Sequence, residues 1–370
     1  MRLTDICDFQ GGSQPPKDEW LFEKQEGYIR MLQIRDFTQS EKVVPEYVKI
    51  SKSTKICQAD DILIARYGAS IGKILTGLSG AYNVAIMRAI PDTHMLQKKY
   101  LYYYLKSPYF QTAILNVGSR AAQAGFNKED LSKLEIKCPL LSEQDSIIDI
   151  LQKVESIIGK RKKELIFLGE LVKARFVEMF GTPYRNEKGF PMMTVDDIVE
   201  FIGGAQPDKK YFEYEATEDN IRLIQIRDYK TDNYVTYIPK SMAKRFCDVD
   251  DIMIGRYGPP IFQILKGIKG SYNVALMKAI PKAGNKEFIR YFLKQDCLFQ
   301  YLDGLSQRTA GQSGIEMSAL KTYPFPYPPI ELPEEFEKFA KHVDKSKVAV
   351  QKALDETQLL FDSLMQEYFG

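Results

Sequence analysis

The sequence is poor in the residues that most enzymatic chemistry relies on. Only two histidines, His94 and His342, occur in 370 residues, and neither has an equivalent elsewhere in the internal repeat. His342 falls in a helical tail, where a solvated side chain is the ordinary reading. The five cysteines (Cys7, Cys57, Cys138, Cys247, Cys297) make an odd total without a CxxC pair. That pattern argues for reduced thiols in a cytoplasmic protein rather than for disulfides or a zinc site. No run approaches the roughly 18 apolar residues of a membrane span, and the N-terminal MRLTDICDF has no signal-peptide core. No GxxxxGK[ST] segment supports a P-loop. No FxGxG or Asn/Asp-Pro-Pro-aromatic segment marks an adenine methyltransferase, since Phe325-Pro326-Tyr327-Pro328-Pro329 lacks the acid or amide. Asp60-Asp61 and Asp250-Asp251 resemble metal pairs, but neighbouring strand residues point to opposite faces. They read as turn-favouring acids at the start of strands. No further evident carboxylate cluster joins them for phosphodiester hydrolysis. No catalytic and no metal-binding residue is assigned.

What is present is duplication. The run Ala59–Pro91 returns without a gap at Val249–Pro281, with 20 of 33 positions identical. Gly11-Gly12-Ser13-Gln14-Pro15 returns as Gly203-Gly204-Ala205-Gln206-Pro207, and IRMLQIRDF (Ile29–Phe37) as IRLIQIRDY (Ile221–Tyr229). Glu178–Gly181 matches the C-terminal Glu367–Gly370. The period of about 190 residues is that of a whole domain, not of a solenoid repeat. The net charge of +2 divides unevenly: +4 over residues 1–141, 0 over 142–181, +2 over 182–330 and −4 over 331–370. The repeat bodies therefore carry the positive charge, a mild bias compatible with DNA binding.

Each repeat reads as a mixed α/β domain followed by a long helix. Ile62–Ile64, Lys73–Leu75 and Val84–Met87 are short strands between glycines. Tyr100–Leu115 reads as one aromatic-rich helix, with a counterpart near Phe288–Leu302. An extended strand is expected between Leu134 and Pro139. Ser142-Glu143-Gln144-Asp145 has the form of a helix N-cap. Beyond it, apolar residues recur at alternating 4–3 spacing through Ile147, Leu151, Val154, Ile158, Leu165 and Leu168 to Met179. The same comb shifted by 189 residues runs through Phe336, Val343, Val350, Leu354, Phe361 and Leu364 to Tyr368. Eight of ten comb positions are apolar in each tail, as in a coiled coil. The expected domains are 1–141, 142–181 (helix), 182–330 and 331–370 (helix). Antiparallel pairing of the helices would give a pseudo-two-fold axis and bring Gly370 near the start of the first domain.

These patterns resemble the DNA-specificity subunits of type I restriction-modification systems. The resemblance rests on two diverged repeats with helical tails, the Gly-Gly-x-x-Pro loop, the segment ending Ile34-Arg35-Asp36, Asp61–Gly68 (DILIARYG), and Pro139 followed by Ser142-Glu143-Gln144. The second repeat departs at Pro329–Phe336 and has Pro259-Pro260-Ile261-Phe262 where the first has Ala69-Ser70-Ile71-Gly72. The resemblance implies two target recognition domains reading a split double-stranded DNA target. It also implies helices that set the spacing and bind methyltransferase subunits, two per chain, with a restriction and translocase subunit in some systems. The chain itself would bind no cofactor: S-adenosylmethionine would belong to the methyltransferase, and ATP and Mg to the restriction subunit. An alternative is the specificity subunit of a related system in which methyltransferase and nuclease share one partner chain.

Reading DNA calls for cations toward phosphates and for forked donors and acceptors toward base edges. In the first repeat such residues beside loops are Gln14, Lys17, Arg35, Asp36, Arg66, Tyr67, Lys73, Arg120 and Gln123. Their counterparts are Gln206, Lys209, Arg227, Asp228, Arg256, Tyr257, Gln263, Arg308 and Gln312. Arg35–Asp36 also fits a structural ion pair or cap, and Tyr67 fits a core residue. Tyr82–Ala85 and Tyr272–Ala275, identical in both repeats, read as framework. The comb residues named above are the expected partner-binding positions.

Overall fold

The computed structural model describes residues 1–39, 42–118, 125–258, 260–306 and 314–370. The chain divides into two compact units, Met1–Lys163 with Val350–Gly370, and Glu164–Ala349. The four expected segments are thus regrouped, because each repeat body takes half of the central helix (Leu141–Phe180) and half of the C-terminal helix (Glu331–Phe369).

In the first unit an antiparallel sheet runs in the order Cys7–Gly11, Ile86–Pro91, Ile62–Ala65, Ile74–Leu75. Ile62–Ala65 is buried on both faces. Alternation sends Ile62 and Ile64 into one core with Leu3, Phe9, Met87, Tyr100 and Tyr104. Leu63 and Ala65 point the other way, against Leu32, Tyr82 and Ile86. Leu32 and Tyr82 belong to a second sheet, ordered Glu46–Lys49, Tyr28–Leu32, Gly80–Tyr82, Ile56–Cys57. Tyr28–Leu32 and Gly80–Tyr82 pair in parallel, with Met31 opposite Ala81 and Leu32 opposite Tyr82. The second unit repeats both sheets, from Val199–Gly203, Leu276–Pro281, Ile252–Gly255 and Gln263–Lys266, and from Tyr237–Pro239, Asn220–Ile224, Gly270–Tyr272 and Phe246–Cys247.

Three local expectations differ from the structure. Val84 and Ala85 are not strand residues: the Asn83 side chain accepts from the Ala85 amide (3.2 Å) and delays the strand to Ile86. The aromatic helix is two helices, Lys98–Lys106 and Pro108–Gly118. Proline cannot continue the hydrogen-bond ladder, and the buried Ser107 hydroxyl accepts from the Phe110 amide (3.3 Å). Between Leu134 and Pro139 there is an extended segment but no regular strand. The segment is held by an Arg2–Glu135 bridge and by the Ile136 amide donating to the Met1 carbonyl (2.9 Å).

Every comb position of both long helices is buried or half-buried. In the first unit the start of the central helix meets the end of the C-terminal helix: Arg161 donates to the Ala353 carbonyl and to Thr357 Oγ1 (2.7 Å). The chain's end also packs on this body, with Phe369 edge-on to Tyr100 at 5.0 Å and Lys137 Nζ donating to the Glu367 carbonyl (3.3 Å). In the second unit the pairing is reversed end for end. Phe176 and Phe180 pack on Phe336 and Phe288, and Arg175 pairs with Glu335 (2.8 Å). Each unit therefore contains an antiparallel helix pair. No helix among the described residues is long and apolar enough to cross a membrane.

The comb residues expected to hold a partner (Ile147, Leu151, Val154, Ile158, Leu165, Leu168, Phe336, Val343, Val350, Leu354, Phe361, Leu364) are thus buried or half-buried within the chain. Their period marked the internal seam. The exposed apolar side chains lie on other faces of the helices: Ile150, Ile157, Leu359 and Leu360 in the first unit, Ile166, Phe167, Leu171, Val177 and Val348 in the second.

Candidate nucleic-acid interface

The motifs that recur in sequence meet at one edge of each unit. After Cys7–Gly11 the Gly12 amide donates to the Ile86 carbonyl (3.1 Å) and the Ser13 amide to the Tyr82 carbonyl (3.0 Å). A Cβ on Gly12 would overlap the Asn83 carbonyl, and one on Gly204 the Asn273 carbonyl. This close approach requires glycine in both units. The Asn83 amide donates to the Leu32 carbonyl (3.2 Å), as Asn273 does to Ile224 (3.0 Å). These bonds seat the Tyr-Asn turn between the Gly-Gly loop and the segment leading to Arg35 or Arg227.

Arg66 ties the remaining pieces together. Its Nε donates to the Phe126 carbonyl (3.3 Å) and Nη1 to the Val84 carbonyl (3.4 Å), and its guanidinium lies 5.0 Å from the Tyr67 ring centre. Arg256 repeats the Val274 contact (3.5 Å) and lies 5.2 Å from the Tyr257 ring. These arginines build the edge more than they present themselves on it. Tyr67 bridges to Gly125 and Tyr257 to Gly314, whose backbones pack against the tyrosine rings. Tyr67 and Tyr257 are 39% and 38% exposed, so they are surface residues and not core.

The alternatives at Arg35–Asp36 are resolved by burial. Asp36 is buried, accepts from the Gln33 amide (2.9 Å) as a helix cap, and pairs with Arg30 (2.7 Å). Asp228 is buried too and caps Gln225 in the same way (2.9 Å). Both acids are therefore structural and out of reach of DNA. Arg35 and Arg227 remain exposed. Arg35 is ion-paired with Glu46, whereas Arg227 donates to the neutral Thr236 hydroxyl (3.1 Å). Gln14, Lys17, Lys73, Gln206 and Lys209 are exposed, while Gln263 is half-buried and donates to the Pro260 carbonyl (2.9 Å). Arg120, Gln123, Arg308 and Gln312 lie outside the described residues.

Sequence reading missed one pair. The Lys55 amide donates to Ser13 Oγ (3.3 Å) and its carbonyl accepts from the Tyr82 amide (3.1 Å); the Arg245 carbonyl accepts from Tyr272 (3.0 Å). A cation thus flanks the Gly-Gly loop in both units. Its signal was a basic residue at the common offset of 190, outside the identical run. The paired aspartates have a plain role. Asp61 caps the Gln58 amide (2.9 Å) and pairs with Arg88 (2.9 Å) and Lys98 (3.1 Å), and Asp251 pairs with Lys278 (2.8 Å).

Residues 1–166 match the family described as type I restriction modification DNA specificity domain. Among curated proteins of Methanocaldococcus jannaschii, the type I restriction enzyme MjaVIII specificity subunit is 23% identical over 246 residues. That match covers 61% of this chain and 54% of the relative. The putative type I restriction enzyme MjaX specificity subunit is 23% identical over 306 residues, covering 73% of this chain and 68% of that one. The chain thus spans about half the length of the first relative and about two thirds of the second. Two solved structures share the fold over the full chain at 15% identity: one from work on assembly and conformational transition of the type I R-M system (TM-score 0.57, 96% of that chain), and the type I S subunit from M. genitalium (TM-score 0.55, 95%). The family match covers the first repeat and the start of the central helix, and the whole chain shares the fold of these two structures.

Proposed function

We propose that each unit reads one half of a split double-stranded DNA target with the edge just described, and that the chain scaffolds methyltransferase subunits without catalysing a reaction. The observation that supports this reading is the duplicated convergence of the Gly-Gly loop, the Arg-Tyr-Gly loop, the Tyr-Asn turn and Arg35 or Arg227 on one edge. Lys17, Lys55, Lys73, Lys209 and Arg245 supply cations for phosphates, and Gln14 and Gln206 supply the forked amide that suits adenine. Methyl transfer then belongs to a partner that carries S-adenosylmethionine, and any ATP- and Mg-dependent cleavage to a further subunit. The exposed apolar residues on the helices, such as Phe167, Leu171, Leu359 and Leu360, offer the partner surface. With its methyltransferase, a Lys17→Gln/Lys55→Gln/Lys73→Gln chain should lose about one unit of salt slope per phosphate contact removed. An unchanged slope would contradict the reading. Deleting one heptad from each helix should shorten the preferred gap between half-sites by about 3 bp, from roughly 10 Å of helix. Purified chain alone should transfer no label from S-adenosylmethionine to DNA.

A further inference from the structure

Duplicated elements that have diverged show where one unit has acquired something the other lacks. In the first unit, Lys106 donates to Tyr102 Oη (3.2 Å) and Glu155 (3.4 Å), and Tyr103 Oη donates to Glu155 (3.0 Å), so this locus is internally satisfied. The matching positions of the second unit hold Arg290 for Tyr102, Lys294 for Lys106 and Asp344 for Glu155. Asp344 is one methylene shorter and lies 3.6 Å from Lys347 instead. Among the described residues Lys294 makes no ion pair. Its ammonium lies 5.5 Å from the Tyr291 ring centre.

A cavity of about 590 Å³ opens at this point, walled by both long helices and by Glu287–Cys297 of the second unit. Five cationic side chains line it against three carboxylates. Arg290 is 3% exposed. Its Nη2 donates to the Asp250 carbonyl (2.8 Å) and it lies 3.4 Å from Glu287, while its buried Nε has no hydrogen-bond partner among the described residues. Desolvation and the nearby Arg290 push the Lys294 ammonium below its ordinary value, although the side chain as a whole stays exposed. Lys266, also on the wall, pairs with Ile252 at the start of its strand, whereas Arg256 follows that strand's end. The cavity and the recognition edge are therefore at opposite strand ends.

We propose that this cavity binds a phosphate-bearing small molecule of about nucleotide size, held by Arg290, Lys294, Lys266 and Lys347 against the Tyr291 and Val177 walls. Donor-only cations in excess call for an acceptor-only ligand with more than one negative charge. The volume lies within the usual range of small-molecule sites.

The test is calorimetric titration of the full chain with inorganic pyrophosphate and, separately, with a nucleoside diphosphate. Saturable binding of one ligand per chain is expected, weakened at least about tenfold by Lys294→Gln and by Lys266→Gln, and unaffected by Lys209→Gln at the recognition edge. Asp344→Glu, which restores the first unit's carboxylate, should also weaken it while leaving thermal unfolding of the free chain unchanged. Equal affinities for the two ligands would assign the site to phosphate alone, and a tighter nucleoside diphosphate to a nucleotide. No saturable binding up to several millimolar would overturn the proposal. So would binding lost with Lys209→Gln but kept in Lys294→Gln, or a Lys294→Gln chain that binds pyrophosphate normally yet no longer captures its methyltransferase.

Discussion

The two units lock the equivalent loop after Arg66 and Arg256 in different ways. In the first, Gly72 takes a left-handed backbone (φ +79°) and Gln111 Nε2 straps it to the helix by donating to the Gly72 carbonyl (2.9 Å). In the second, Phe262 occupies the corresponding left-handed position (φ 55°), strained for an aromatic residue, and is 3% exposed in the core. A polar strap and an apolar plug thus serve one backbone path. The neighbouring Arg-Asp motif differs similarly. Arg30 closes on Asp36 at 2.7 Å, but Arg222 turns to Asp232 (2.7 Å) and stays 3.9 Å from Asp228, whose buried Oδ1 has no hydrogen-bond partner among the described residues. Duplication kept the architecture and let the two equivalent edges drift apart in charge.

The largest expected effect separates plug from strap. Phe262→Gly should cost about 2–3 kcal/mol, a cavity penalty of roughly 3–5 offset by about 1–2 of relieved strain. Gln111→Ala should cost about 1–2 kcal/mol. Denaturant unfolding read by hydrogen exchange in each unit checks both, and equal losses would erase the distinction. Next, Asp36→Asn should cost about 1–2 kcal/mol by leaving Arg30 without its charge partner, while Asp228→Asn should stay within about 0.5. Burial raises the Asp228 carboxyl above its ordinary value of 3.8. The fold therefore favours its protonated form. That stability is full below 3.8 and is lost as pH rises through the raised value, so Asp228→Asn should flatten the decline. The smallest effect is electrostatic. Arg227→Gln should lower the salt slope of DNA binding by about one unit, and Arg35→Gln by much less because Glu46 already neutralises it. Thr236→Glu should make the second unit behave like the first.

Much of this fold was legible in the sequence. Repeats, glycine-bounded strands and the comb are local or periodic signals, and burial follows all three. Roles that depend on a distant neighbour were not. The Asp36 cap needed Arg30 and Gln33 in their folded positions, and Lys55 gained meaning only when Ser13 came beside it. The comb gave the right faces of the helices but not their occupants, since periodicity records that a face is covered and not what covers it. The aromatic run hid its break at Ser107-Pro108 because both halves carry the spacing of a helix with one apolar face.

The most direct test of two separate readers is a genome-wide map of N6-methyladenine in cells that express this chain with its methyltransferase. Two short specific blocks separated by a gap of fixed length are predicted. Changes at the first unit's edge, such as Lys73→Gln, should alter or weaken one block only. A continuous motif, or a change in both blocks from one unit's substitution, would contradict the account.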